Sequence, residues 1–148
     1  MQTDYIHIIL ADDDEDDRLF FTDAFSELKI NTKVNTFNDG VELMNYLNSD
    51  DAILPQVLFL DLNMPKKNGL ECLVEIKSNN KFEDIAIAIY STSSSEEHIE
   101  ETFVKGANIY IKKPSDFEML KKVLSDVVAI NWQYHTSGLN KDNFLLRM

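Results

Sequence analysis

Residues 56–61, QVLFLD, form a nearly continuous apolar run that ends at a single acid, Asp61. A short apolar run without alternation is typical of a central strand in a parallel sheet, because helices cover both faces of such a strand. Ligands of parallel α/β sheets bind beside the carboxyl ends of the strands. The run therefore predicts a buried strand that places Asp61 at the edge of the sheet where a functional site is expected.

Four further short runs have the composition of strands, and helical patterns separate them. These predicted strands cover residues 6–11, 33–37, 85–90 and 108–112. Apolar residues recur at helical spacing from Phe21 to Leu28 in the first helix. The last helix is predicted to begin after Ser115, as its N-cap, and to end near residue 130. Strands that alternate with helices predict an α/β fold, a doubly wound five-stranded parallel sheet with helices on both faces.

Composition limits the classes of protein to consider. The chain has 148 residues, which suits one domain, and a net charge of -12, which argues against a surface that neutralises nucleic-acid phosphates. Cys72 is the one cysteine, so no internal disulfide can form. A signal peptide has a basic segment before its apolar run, and this chain has none before its first apolar run. No uncharged stretch is long enough to span a membrane. We therefore expect a soluble, cytoplasmic protein.

Charged and hydroxyl side chains follow four of the five predicted strands. They are Asp12, Asp13 and Asp14 after the first strand, Asp61 after the third, Ser91 and Thr92 after the fourth, and Lys113 after the fifth. Carboxylates that converge raise each other's pKa values unless a cation is present, and Mg²⁺ prefers such hard oxygen ligands. Lys113 and Ser91 offer the positive charge and hydroxyl that a phosphoryl group requires. The pattern predicts that Asp61 acts as a nucleophile and becomes an aspartyl phosphate.

Each of these residues, taken alone, also fits an ordinary structural role. An aspartate after a strand often caps a helix, and Asp16 and Asp17 fit a solvated first turn. Ser91 also fits the role of a turn residue, and Lys113 also fits the role of a surface lysine. The joint placement on successive strand ends favours the functional interpretation.

Four segments together resemble the receiver domain of two-component response regulators, over roughly residues 5–130. They are IILADDDEDDR (residues 8–18), VLFLDLNMPKKNGLECL (57–73), IAIYSTSSSEE (87–97) and GANIYIKKPSDF (106–117). The combination of DLNMP, a following glycine and a later Lys-Pro pair is highly specific to that family. The resemblance implies a flavodoxin-like fold with strand order 2-1-3-4-5.

The resemblance also implies a magnesium site and a phosphorylation site. Asp61 matches the phosphoacceptor. Asp13 matches the direct ligand of Mg²⁺ and Asp12 a ligand through water, while Asn63 supplies its backbone carbonyl to the metal. Because three aspartates follow one another, a second assignment stays open, in which the acidic pair is displaced by one residue to Asp13 and Asp14.

The same resemblance implies a conformational switch. Ser91 matches the switch hydroxyl, Tyr110 the aromatic residue that turns inward, and Lys113 the lysine that contacts the phosphoryl group. Thr92 is the alternative to Ser91, which is favoured because it directly follows the apolar run. The peptide bond before Pro114 is expected to be cis, as is usual in the family.

We expect a receiver domain over residues 1–130 and an extension over residues 131–148 without an output domain. The chain thus resembles the stand-alone regulators of chemotaxis, or those that partner phytochromes, to which SSSEEHI and Trp132 point. The expected partners are a sensor histidine kinase or histidine phosphotransfer protein and a downstream protein target. The extension is apolar through Trp132, Tyr134, Phe144, Leu145 and Leu146. It either packs on its own domain or frays, or it forms a contact with a second copy or another partner. The face of helix four, strand five and helix five is the other candidate for a homodimer contact.

Two other classes of function fit less well. A hydrolase of the haloacid dehalogenase type shares the nucleophilic aspartate but needs a second acid two residues later, where this chain has Asn63. An interaction module without phosphorylation would not need the complete site, and the four glycines form no phosphate-binding loop. We therefore expect a phosphoacceptor that takes part in its own phosphotransfer and slow dephosphorylation, and not an enzyme with a separate substrate.

Overall fold

The computed structural model describes residues 5–137 and 146–147, with side chains up to residue 130. Strands and helices alternate along the chain. In order, they are β1 (Ile6–Ala11), α1 (Glu15–Glu27), β2 (Thr32–Phe37), α2 (Gly40–Leu47), β3 (Val57–Leu60), α3 (Gly69–Lys77), β4 (Ala86–Ser91), α4 (Glu96–Val104), β5 (Ile109–Lys112), α5 (Phe117–Ser137) and β6 (Leu146–Arg147). A single 3-10 turn, Asn80–Phe82, precedes β4.

The sheet has the order β2-β1-β3-β4-β5, as predicted, and every pair of neighbours is parallel. Leu60 at the end of β3 lies between Ala11 of β1 and Ile89 of β4. The carboxyl ends of the three central strands therefore reach the same edge of the sheet, which confirms the predicted doubly wound α/β fold.

Helices cover both faces of the sheet, so β3 and β4 are buried throughout. On one face, β1, β3 and β4 pack against α1 and α5 around an aromatic cluster in which Phe21 lies 4.9 Å from Phe59 and 5.6 Å from Tyr90 between ring centroids. On the other face, the same strands pack against α2, α3 and α4. This double coverage explains why residues 57–60 can be apolar without alternation.

The last helix differs from the prediction at both ends. Asp116, not Ser115, caps its start, because the Asp116 carboxylate accepts a hydrogen bond of 3.0 Å from the backbone N–H of Met119. The helix continues beyond residue 130 to Ser137, and no proline or glycine occurs between residues 115 and 137 to end it earlier.

Part of the extension beyond α5 adds a strand to the sheet. Leu146 and Arg147 form β6, which pairs in parallel with Ile109 and Tyr110 of β5. Trp132 and Tyr134 lie within α5, and Phe144 is outside the described residues.

The expected cis bond before Pro114 is wrong for this structure: all peptide bonds in the described part of the chain are trans, the isomer that X-Pro bonds favour. In the same part of the chain, no helix has both the length and the apolarity to cross a bilayer.

A glycine at the start of α3 brings that helix against the end of β3. The N–H of Gly69 donates a hydrogen bond of 3.0 Å to the carbonyl of Leu62. A Cβ atom at this position would lie only 2.1 Å from the carbonyl oxygen of Asp61. Because that neighbour is backbone, a side chain here must displace the loop that carries the predicted site.

We predict that Gly69→Ala lowers the free energy of unfolding by about 1–3 kcal/mol, the usual cost of overpacking. Urea unfolding followed by circular dichroism measures this change. Val74→Ala, at an exposed position of the same helix, is the control and should stay within about 0.5 kcal/mol of the wild type. Equal stability of both variants would contradict the close approach.

Candidate functional site

Three carboxylates meet at the carboxyl edge of the central strands. Asp12 follows β1, Asp61 follows β3, and both are at least 95% buried, whereas Asp13 is exposed. One carboxylate oxygen from each of Asp12, Asp13 and Asp61 lies within 4.8 Å of the others. Hard oxygen atoms at this spacing can share a divalent cation.

Local hydrogen bonds orient these acids and distinguish them from Asp14. The Asp14 carboxylate caps α1 by accepting from the N–H of Asp17 at 3.1 Å, while Asp12 Oδ1 accepts from the N–H of Asp14 at 3.0 Å. Asp61 Oδ1 accepts from the N–H of Asn63 at 3.3 Å. Asp61 caps no helix, because α3 begins only at Gly69 and Asn68 caps it. The structure thus groups Asp12 and Asp13 with Asp61 and gives Asp14 a capping position.

Lys113 places its ammonium group among three carboxylates. Its Nζ lies 2.8 Å from Asp12 Oδ2, 2.9 Å from Asp17 Oδ2 and 3.2 Å from Asp61 Oδ2. The backbone N–H of Lys113 donates to the carbonyl of Ser91 at 2.7 Å, which fixes the start of the lysine side chain beside β4. Lys113 is therefore not a free surface lysine.

Asp17 is the member of this group that sequence reasoning missed, since it fitted a solvated helix turn. That interpretation is wrong for Asp17, which pairs with Lys113 from 96 residues away in the chain. Its position in the first turn of α1 was the available signal, because the helix after β1 must begin at the carboxyl edge of the sheet.

Burial changes the protonation of the site. The pKa of Asp61 is raised to about 6, mainly by burial; the charge of Lys113 lowers it and the charge of Asp12 raises it. The pKa of Asp12 is also raised, mainly by burial. Burial alone would lower the pKa of Lys113, but its bonds to Asp12 and Asp17 outweigh this effect and leave the pKa raised. The ammonium of Lys113 alone does not neutralise the carboxylates around it, and a bound cation would neutralise the remaining negative charge.

The predicted switch residues surround the loop after β4. Ser91 is buried at the end of β4, and its hydroxyl oxygen accepts from the N–H of Ser93 at 3.1 Å, whereas Thr92 is exposed. Tyr110 is buried with its ring inward, and its phenol donates to the carbonyl of Ser93 at 2.9 Å. Ser91 and Tyr110 therefore contact the same residue from two neighbouring strands.

The sequence matches the family model described as "Response regulator receiver domain" over residues 8–125. The chain belongs to this family, whose members are signalling domains of two-component systems that are phosphorylated on an aspartate.

Individual relatives agree with this assignment. The probable methanogenesis regulatory protein FilR2 of Methanothrix harundinacea is 28% identical over 123 residues, which cover 81% of this chain and 79% of that protein. Response regulator Rcp1 of Synechocystis is 27% identical over 124 residues, covering 81% and 84%. The phosphorylated cyanobacterial phytochrome response regulator RcpA has a TM-score of 0.78 at 29% identity, covering 93% and 98%. A Mn²⁺-bound structure of Rcp1 has a TM-score of 0.75 at 26% identity, covering 84% and 92%.

The raised pKa of Asp61 makes folding stability depend on pH in the metal-free protein. Asp61 has a pKa of about 6 when folded, against 3.8 for an ordinary aspartate, so the folded state holds the extra proton between these values. The contribution of Asp61 to the free energy of unfolding therefore falls as the pH rises from about 4 to about 6, and stays lower above that range.

We predict that Asp61→Asn, which cannot ionise, is more stable than the wild type above pH 6, by at most about 3 kcal/mol at 1.4 kcal/mol per pKa unit. The two proteins should converge toward pH 4. Thermal unfolding in a chelator across this pH range measures the difference. A wild type that gains stability from pH 4 to 6 relative to Asp61→Asn would contradict the burial of a charged Asp61.

Proposed function

We propose that this protein accepts a phosphoryl group on Asp61 from a histidine kinase or a histidine phosphotransfer protein, with Mg²⁺ bound beside it. The observation that carries the proposal is the convergence of Asp12, Asp13 and Lys113 on Asp61 at one edge of the sheet. This arrangement supplies a nucleophile, cation ligands and a positive charge at one point. Positioning and electrostatics of this kind are the main contributions that proteins make to phosphoryl transfer.

In the transfer step, a carboxylate oxygen of Asp61 attacks the phosphorus of a phosphohistidine. The new O–P bond forms as the N–P bond breaks, and the electron pair of that bond returns to the imidazole nitrogen, which takes up a proton. Asp61 must be ionised to attack, and its pKa of about 6 leaves it largely ionised at neutral pH. The two carboxylate oxygens of Asp61 have different partners, because Oδ1 accepts from the N–H of Asn63 and Oδ2 accepts from Lys113 Nζ.

The acidic cluster fits a magnesium ion. Asp13 and Asp61 would hold it, Asp12 would act through water, and the backbone carbonyl of Asn63 would complete the protein ligands. When bound, the cation neutralises charge on the phosphoryl oxygens. The excess of carboxylates over ammonium groups at the site supports this assignment, because buried carboxylates require a positive partner.

Ser91 and Tyr110 would transmit the change. A phosphoryl group on Asp61 attracts the Ser91 hydroxyl, since β4 lies next to the strand that Asp61 follows. That movement alters the bonds around Ser93, to which both Ser91 and Tyr110 are tied. The equilibrium of the α4–β5–α5 face then shifts toward the form that a downstream protein or a second copy binds.

Similarity to a chemotaxis protein CheY homolog and to the phytochrome response regulator RcpA supports a regulator of the chemotaxis or phytochrome-partner type. We infer that it acts in the cytoplasm. A hydrolase of the haloacid dehalogenase type remains disfavoured, because Asn63 cannot serve as its general acid. Asn63 is exposed, and its N–H contacts Asp61 Oδ1, so no acid occupies that position beside the nucleophile.

We predict that phosphoramidate with Mg²⁺ adds one phosphoryl group to the wild type, and none to Asp61→Asn, which lacks a nucleophilic oxygen. Intact mass spectrometry measures this addition. Asp51→Asn, at an exposed position, is the matched control and should be modified like the wild type. A wild type that stays unmodified at saturating donor would overturn the proposed function.

We also predict that Mg²⁺ raises the melting temperature of the wild type, and that Asp13→Asn needs at least about tenfold more Mg²⁺ for the same rise, since loss of a residue that only supports a ligand already costs that much. Asp13 is exposed, so its substitution should leave the fold intact. Glu15→Gln removes a nearby exposed charge and should respond like the wild type. If Asp13→Asn and Glu15→Gln responded alike, Asp13 would not be a ligand.

A further inference from the structure

The ammonium of Lys113 is surrounded by carboxylates and donates hydrogen bonds to two of them, Asp17 at 2.9 Å and Asp61 at 3.2 Å. A lysine ammonium has three N–H donors and no acceptor. Three carboxylates, from Asp12, Asp17 and Asp61, lie between 2.8 and 3.2 Å from its Nζ. The contact with Asp12 Oδ2 is an ion pair without a hydrogen bond, whereas Asp17 and Asp61 occupy two of the three donors. An incoming phosphoryl group must therefore compete with these carboxylates for the ammonium of Lys113.

Asp17 differs from the other two partners because the transfer reaction gives it no role. Asp61 is the acceptor, and Asp12 belongs to the acidic cluster that would hold the cation. Asp17 lies outside that cluster, on α1, and its side chain is 36% exposed. Its contact with Lys113 is nevertheless shorter than the contact between Lys113 and Asp61.

The backbone around Asp17 holds this contact in place. The N–H of Asp17 is bonded to the capping carboxylate of Asp14, which fixes the first turn of α1. The neighbouring cation, Arg18, is directed elsewhere, because its Nη1 donates to the carbonyl of Asp12 at 2.8 Å. In the described part of the chain, Lys113 is the cation found in an ion pair with Asp17.

We propose that Asp17 is a positioning residue that holds Lys113 in a resting position and so limits the rate of phosphorylation of Asp61. The proposal rests on the proposed function. Removing the Asp17 carboxylate frees one N–H of Lys113 for the phosphoryl oxygens, where charge develops during transfer. Asp17 therefore sets how readily the site reacts, and it contacts neither the donor nor the reacting atoms.

The test compares Asp17→Asn with Asp16→Asn, which removes the same charge from the adjacent, exposed position in the same helical turn. Phosphoramidate and Mg²⁺ are supplied over a range of donor concentrations, and intact mass spectrometry gives the initial rates. Weaker repulsion of the anionic donor lowers the half-saturating concentration in both variants. Release of Lys113 raises the maximal rate constant in Asp17→Asn alone, by about two- to fivefold, as the strength of a partly exposed ion pair implies.

Asp17→Ala leaves no hydrogen-bond acceptor for Lys113 at this position. Its maximal rate constant of phosphorylation should be at least that of Asp17→Asn. Thermal unfolding of each variant shows that the fold is retained. A maximal rate constant in both Asp17 variants that equals or falls below that of Asp16→Asn would overturn the positioning role. That failure is distinct from failure of the proposed function, in which the wild type itself is not phosphorylated or Asp61→Asn still is.

Discussion

The ion pairs of Lys113 join the parts of the chain that make up the site. The lysine follows β5, Asp12 follows β1, Asp61 follows β3, and Asp17 belongs to α1. A side chain that is only 9% exposed can keep its charge only if opposite charges surround it, and here three carboxylates do so. The carboxylates of Asp12 and Asp61 in turn can be buried near one another because this ammonium balances part of their charge.

The scaffold explains why these groups meet. A parallel sheet covered on both faces has its carboxyl ends at one edge, and the connections after the strands begin there. Gly69 allows α3 to start against the carbonyl of Asp61, and Asp14 fixes the start of α1 beside Asp12. The precision of the site thus depends on backbone contacts that carry no chemistry of their own.

The doubly wound α/β fold and the placement of Asp12, Asp61 and Lys113 at one edge of the sheet could be predicted from local patterns, whereas the strand order 2-1-3-4-5 came from the resemblance to receiver domains. Residues 57–60 are apolar without a break, and an acid, a hydroxyl or a lysine follows successive strands, so the position of Asp61 needed no structure. The pairing of Asp17 with Lys113 could not be predicted in this way, since it depends on which side of the first turn of α1 faces β5. The cap by Asp116 in place of Ser115 depends on a difference of one residue in the path of the chain, and both residue types are good caps. The trans bond before Pro114 involves a small energy difference between isomers that residue type alone does not decide.

We expect the phosphoryl group to reside on Asp61 and on no other residue. The most direct measurement is to phosphorylate the protein with phosphoramidate and Mg²⁺, reduce the acyl phosphate with borohydride, and locate the reduced residue by peptide mass spectrometry. Borohydride converts an aspartyl phosphate to homoserine, so the chemistry marks the acceptor itself. We predict homoserine at position 61 alone. Reduction at Asp12 or Asp13, or a phosphate that resists borohydride because it is on a serine or histidine, would contradict it.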